Sequence, residues 1–304
     1  MYSTAALPTR SIIVIGAASG AGAPDPGTAE GPDALRRYRV FHHTPLQHVE
    51  WGAILHVPRA ARDTPLHAVA ALGARLAAEV ETVLRAGNFP LVVGGDHSCA
   101  IGTWSGVNRA FAERGPLGLI WIDAHMDSHT FATTPSGQIH GMPLACLLGQ
   151  GEAALTAIGG TEATLRPEHV CLIGVRSYEA GEAALLRRLG VRVFTMDEVR
   201  QRRLPAIFDE ALTIVRNGTA GFGVSLDLDA LDPVEEPGVG TPAPGGLYRA
   251  ELAAALTRLR GDPAFIAMEI VEYNPRRDRR HVTADAAGAL VDAVTPLSHR
   301  PRGR

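Results

Sequence analysis

Short runs rich in valine and isoleucine recur along the chain with almost no polar alternation. They are Ile12 to Ile15, Leu91 to Val93, Leu117 to Ile122, Val170 to Val175, Val191 to Phe194, Phe222 to Leu226 and Phe265 to Val271. A strand with one wet face alternates apolar and polar residues, whereas a strand covered on both faces reads as a continuous apolar run. Helical patterns lie between the runs. The clearest opens at Thr64-Pro65, with Thr64 as N-cap and Pro65 at the first helical position. Its apolar face runs through Val69, Leu72, Leu76, Val80 and Leu84, and Gly87-Asn88 is its stop. Strands alternating with helices make a parallel sheet with helices on both faces, so the fold class is α/β. No linker or internal repeat divides the chain, and 1–304 reads as one domain. The basic end Arg300 to Arg304 is expected to fray.

Composition narrows the function classes. The chain has 304 residues, 46% of them hydrophobic and 20% charged, as in an ordinary globular protein that can bury a large core. A net charge of -3 leaves no electrostatic footprint for nucleic acid or an anionic membrane. No apolar run approaches the ~18–20 residues of a membrane span, and Met1 to Arg10 lacks the pattern of a signal peptide. Cys99, Cys146 and Cys171 are scattered with no CxxC, which suits a reducing compartment. A cytoplasmic location is the expectation.

The chemistry sits just after the apolar runs. Leu91-Val-Val leads into Gly94-Gly-Asp-His-Ser98, and Leu119-Ile-Trp-Ile into Asp123-Ala-His-Met-Asp127. Phe222-Gly-Val-Ser-Leu leads into Asp227-Leu-Asp-Ala-Leu-Asp-Pro233, and Ile266 to Val271 into Glu272-Tyr-Asn-Pro275. In an open parallel sheet the carboxyl ends of the strands share one rim, where ligands bind. These segments should therefore meet. Asp123 and His125 are two apart, as are Asp227 and Asp229, so each pair aims to the same side of an extended segment. His97 and Asp127 complete the set. A lone aspartate after a strand is usually a turn former or helix cap, and Asp96 and Asp232-Pro233 read that way. Carboxylate and imidazole donors without a thiolate favour manganese, with cobalt, iron or nickel as alternatives. Asp123, Asp127, Asp227 and Asp229 carry four negative charges, which two divalent ions would balance. Two such ions close together activate a shared water near neutral pH.

These motifs, with Gly240-Thr-Pro-Ala-Pro-Gly-Gly246 and Gly31-Pro-Asp-Ala-Leu-Arg36, resemble those of the arginase (ureohydrolase) family, from about Gly16 to Pro275. The resemblance implies a three-layer α/β/α sandwich with a mostly parallel central sheet, two Mn²⁺ ions per chain and hydrolysis of a guanidino group. By motif, one ion would be held by His97, Asp123, Asp127 and Asp227. The other would be held by Asp123, His125, Asp227 and Asp229, with Asp123 and Asp227 bridging. His140, which ends the loop after Asp127, matches the family's proton shuttle, and Glu272 its guanidinium-binding glutamate. The resemblance also implies a homotrimer or homohexamer.

Within the family, the loop from Asp127 to His140 and Gly141 resembles that of arginase proper, and the resemblance implies L-arginine as substrate and urea and L-ornithine as products. The departures fall where the amino-acid end of that substrate would bind. His129 and Gln138 stand where arginase has asparagine, and Ser177-Tyr-Glu179 replaces its Asp-x-Asp. Thr134 and Ser136 still offer hydroxyls to a carboxylate, and Glu179 or Glu182 can pair with an α-ammonium group. The alternatives are agmatinase, guanidinobutyrase or formimidoylglutamase chemistry, a zinc-dependent amide deacetylase with a single-metal site, or a binding protein that keeps the fold.

Overall fold

The computed structural model describes residues 10–43, 49–160 and 162–295, so the expected frayed end lies outside the described residues. The strands are β1 (Ile12–Ala18), β2 (Val49–His56), β3 (Phe89–Gly94), β4 (Leu117–Ile122), β5 (Val170–Val175), β6 (Arg192–Thr195), β7 (Gly221–Asp227) and β8 (Phe265–Val271). They form one sheet in the order β2-β1-β3-β8-β7-β4-β5-β6, and each neighbouring pair is parallel. Every apolar run read from the sequence is a strand. β2 is an addition. It lies at the sheet edge, and most of its residues keep some exposure, so it shows no continuous apolar run.

The helices are α1 (Gly31–Arg37), α2 (Pro65–Arg85), α3 (Ala100–Phe111), α4 (Pro143–Leu147), α5 (Ala153–Thr156), α6 (Ala180–Leu189), α7 (Met196–Arg202), α8 (Leu204–Arg216), α9 (Arg249–Leu256) and α10 (Val282–Val294). Alternate strand residues feed two cores, one on each face of the sheet. Ile120 and Ile122 of β4 pack with Leu35, Phe208, Leu252 and Leu290, under α1, α8, α9 and α10. Leu119 and Trp121 pack with Leu72, Leu76, Trp104, Leu144 and Leu186, under α2, α3, α4 and α6. This is the three-layer α/β/α sandwich. Thr64 caps α2 by accepting the amide of His67 at 3.2 Å. The face of α2 buries Val69, Leu72, Leu76, Val80 and Val83, while Leu84 is only half-buried.

The strand order places the site. β3, β8, β7 and β4 are the four contiguous strands at the middle of the sheet. They are the strands whose carboxyl ends carry His97, Glu272, Asp227 and Asp123. Long crossovers bring these distant segments onto one rim.

Candidate metal centre

His97 opens a short helical turn after β3, N-capped by Asp96, whose carboxylate accepts the amides of Ser98 and Gly22, each at 3.0 Å. The His97 ring is fully buried and stacks on Trp121 at 4.2 Å between centroids. Its Nδ1 lies 3.1 Å from Asp123 Oδ2, 3.0 Å from Asp127 Oδ2 and 3.2 Å from Asp227 Oδ2. That nitrogen nevertheless makes no hydrogen bond. One imidazole nitrogen and three carboxylate oxygens face a common point, an arrangement made for a cation.

A second group adjoins the first through Asp123. Nδ1 of His125 is 3.5 Å from Asp123 Oδ1 and 3.1 Å from Asp229 Oδ2, and these three residues form the second set of converging donors. Asp227 gathers with the first group. Its carboxylate also accepts the Asp229 amide at 2.7 Å. Partners fix the ligands from behind. Trp121 Nε1 donates to Asp123 Oδ2 at 2.8 Å, and Thr241 donates to Asp229 Oδ2 at 2.9 Å. The Arg176 guanidinium donates to the carbonyls of Asp229, Leu231 and Ala243, tying together the loop after β7.

The electrostatics are those of crowded carboxylates and imidazoles buried together. Burial opposes charge on His97, yet Asp123, Asp127 and Asp227 push its pKa well above the usual value. Burial likewise opposes ionisation of Asp123, but His125 and His97 hold it far below the usual carboxylate range. Asp127 is pushed up to about 6 by burial and by Asp123. Burial, Asp229 and Asp123 push Asp227 well up. Crowded carboxylates that cling to protons are what divalent ions would relieve. The hard oxygen and nitrogen donors, with an orphaned buried Nδ1, fit such ions.

Glu272 stands beside this cage. Its Oε1 accepts the backbone amide of His97 at 2.9 Å and Nδ1–H of His140 at 3.1 Å. Its Oε2 is buried and has no partner. Gly240 leaves this oxygen room, since a Cβ there would sit 2.5 Å from it. Glu272 and Asp127 both hold left-handed backbone, at φ 65° and 46°. Such conformations cost a non-glycine residue about 1–3 kcal/mol and concentrate at functional sites. Burial opposes a charged His140, but the bond to Glu272 outweighs it and raises the pKa to about 9.

A cleft of about 140 Å³ is lined by His125, Asp127, His140, Asp227 and Thr241, whereas Glu272, buried against His140, is not among its lining residues. His129, Thr134, Ser136, Gln138, Glu179 and Glu182 line it too. His129 Nε2 lies 2.9 Å from Glu179 Oε2 and 3.6 Å from Glu182 Oε1. Glu182 is buried, which pushes it up to about 8, and accepts the Glu179 amide at the start of α6. The Thr134 hydroxyl accepts the amides of Ser136 and Gly137, so it shapes the loop as well as facing the cleft. Asp232 accepts the amides of Val234, Gly245 and Gly246 and stands outside both donor groups.

Ser225, Trp121 and Thr241 fall inside the motifs quoted from the sequence, but nothing in the sequence alone assigns them these supporting contacts. Ser225 lies two residues before Asp227 on β7, and Trp121 two before Asp123 on β4, the same i/i+2 relation that picked out the ligand pairs.

Converging aspartates and histidines at the carboxyl rim of a parallel sheet, beside a buried carboxylate with an unpartnered oxygen, define a metal-dependent hydrolase. A model of the arginase family matches residues 10–295. The chain is 42% identical to the arginase of Bacillus caldovelox over 295 residues, covering 94% of this chain and 98% of that one. It is 46% identical to the arginase of Brevibacillus brevis over 220 residues, covering 72% and 73% of the two chains. The crystal structure of arginase from Bacillus cereus superposes with a TM-score of 0.88 at 36% identity, covering 96% of this chain and all of the other. The chain belongs to the arginase family and is a metal-dependent amidinohydrolase.

Proposed function

We propose that the protein hydrolyses L-arginine to L-ornithine and urea with two Mn²⁺ ions per chain. The observation that carries the guanidino chemistry is the buried, unpartnered Oε2 of Glu272 beside the paired donor groups. An unpartnered carboxylate oxygen there is the acceptor a guanidinium N–H requires. The relatives' shared name, arginase, supports arginine as the substrate.

His97, Asp123, Asp127 and Asp227 would hold one ion. Asp123, His125 and Asp229 would hold the other, with Asp227 assigned to both by motif. Bound there, the pair supplies a water acidified near neutral pH and positive charge opposite the developing transition state. The chain's own groups do the rest. Glu272 fixes the guanidinium over the cage, and Asp127 orients the reacting water. His140, anchored to Glu272 by a bond that favours its charged form, hands a proton to the nitrogen that leaves as the amine. His129, Thr134, Ser136, Gln138, Glu179 and Glu182 line the outer cleft and would receive the amino-acid head group.

All of this chemistry belongs to one domain in this reading, since the four contributing strand ends share one sheet. A homotrimer or homohexamer is proposed on the family resemblance, and sedimentation velocity tests it. Among the described residues no helix is long and apolar enough to cross a membrane, and Cys99, Cys146 and Cys171 are free and buried. Both facts support the proposed cytoplasmic location. A panel of L-arginine, agmatine, 4-guanidinobutyrate and formimidoylglutamate, assayed with manganese, tests the substrate: urea from arginine is expected to dominate.

A further inference from the structure

Glu269 sits in the middle of β8, fully buried, on a strand whose other residues are apolar. Among the described residues no lysine or arginine pairs with it. A buried carboxylate costs several kcal/mol unless its lone pairs are filled. Here Thr103 Oγ1 donates to Oε1, and Trp104 Nε1 donates to Oε2 at 3.1 Å, both from α3. Ser225 Oγ donates to Oε2 at 2.7 Å. An apolar residue would fill this place in the core at no such cost.

The consequence lies one bond further on. Ser225 has a single hydroxyl proton, and it goes to Glu269. The same oxygen lies 3.0 Å from Nε2 of His97, so it accepts Nε2–H from the ring. The Nε2 proton is thereby held in place, so Nδ1 is the nitrogen that would give up its proton to an ion and present a lone pair toward Asp123, Asp127 and Asp227. Stacking on Trp121 sets the ring plane, and the Glu269–Ser225 pair sets which nitrogen is presented. We infer that Glu269 is a positioning residue that acts through Ser225 to fix the tautomer and aim of His97 toward the first metal ion. The inference rests on the metal site proposed above. Partners of this kind behind a metal-bound histidine typically change metal affinity about 10- to 100-fold.

The test is a titration of the metal-free full-length protein with Mn²⁺ alone, followed by the electron paramagnetic resonance signal of free Mn²⁺. The variants are Glu269→Gln, Ser225→Ala and the double variant. The wild type is expected to bind two ions per chain. Each single variant should weaken one of them about 10-fold or more and leave the other unchanged. The double variant should lose little beyond either single one, because both break the same chain of bonds. Two ions bound with wild-type affinity in the variants would overturn the inference while leaving the metal site standing. So would equal weakening of both ions that simply tracks a lower melting temperature. A wild type that takes up fewer than two ions would overturn both readings. Should Glu269→Gln fail to fold, Ser225→Ala, which leaves Glu269 its Thr103 and Trp104 donors, decides the question alone.

Discussion

Nδ1 of His140 lies 3.1 Å from Oε1 of Glu272, the same oxygen that accepts the backbone amide of His97. The proton donor and the guanidinium acceptor are thus one hydrogen-bonded unit, tied to the backbone of a candidate metal ligand. This leaves Oε2 as the free side of the carboxylate. Glu272→Gln keeps the shape but exchanges charge for a neutral amide. A charge-assisted hydrogen bond contributes about 1.5–3 kcal/mol, so kcat/KM should fall about 10- to 100-fold with Mn²⁺ content unchanged. Parallel metal analysis and urea assays check this, and loss of metal together with activity would reassign Glu272 to the cage.

Gly240→Ala approaches the same oxygen from outside. The added Cβ would sit 2.5 Å from Glu272 Oε2, the unpartnered oxygen, while Oε1 is held by the His97 amide and by His140. Activity should fall while both ions remain bound. The melting temperature of the loaded variant separates this local effect from general unfolding.

The raised pKa of His140 makes stability depend on pH in a definite direction. A group whose pKa is higher when folded contributes stability that is complete below its unfolded value, about 6.5, and is lost as pH rises. For His140 that loss runs up through about pH 9. In denaturant titrations of metal-free protein, wild type should exceed His140→Asn most at pH 6, with the gap closing toward pH 9.5. The same variant should lose about 100-fold or more in kcat, as a missing general acid does. A gap that widens with pH would contradict the charged His140–Glu272 pair.

The cage should report its cations through stability. In the absence of metal Asp123 repels Asp127, and Asp123 and Asp229 repel Asp227, and an ion that binds only the folded chain stabilises it by mass action. Mn²⁺ should raise the melting temperature and a chelator should lower it. His97→Ala and His125→Ala should each lose one ion per chain, since they belong to different donor groups. A single-metal deacetylase site would instead hold one ion in the wild type.

At the mouth of the cleft, Glu182 is the buried carboxylate and His129 its neighbour. Assayed near pH 9, above the raised pKa of about 8 at which Glu182 ionises, Glu182→Gln should raise KM for L-arginine about 10-fold, the scale of one charge-assisted bond. It should leave KM for 5-guanidinovalerate, which lacks the α-amino group, nearly unchanged. An equal effect on both substrates would mean that Glu182 serves α6 and the loop rather than the ammonium.

Much of this was legible in the sequence because the chemistry follows the strands. Asp123, His125, Asp227 and Asp229 come directly off continuous apolar runs, and their i/i+2 spacing shows which side chains share a direction. β2 was not legible: as an edge strand, Val49–His56 interleaves exposed and partly buried residues and carries no sustained apolar run. Nor was the role of Glu269, which in sequence is one acidic interruption of an apolar run. Its partners Thr103 and Trp104 are 166 and 165 residues away and meet it only because β3, β8 and β7 lie side by side under α3. Local pattern locates residues that act at a strand end. It misses those whose meaning depends on which strands are neighbours.

The central claim is that paired metal ions and Glu272 act together on a guanidino group. Urea release from L-arginine by the Mn²⁺-loaded protein, before and after chelation and with metal restored, tests it most directly. The account predicts urea and ornithine in equal amounts, loss of activity on chelation, recovery with Mn²⁺, and little activity in Glu272→Gln. A fully loaded protein, two ions per chain, that releases no urea from arginine would contradict it.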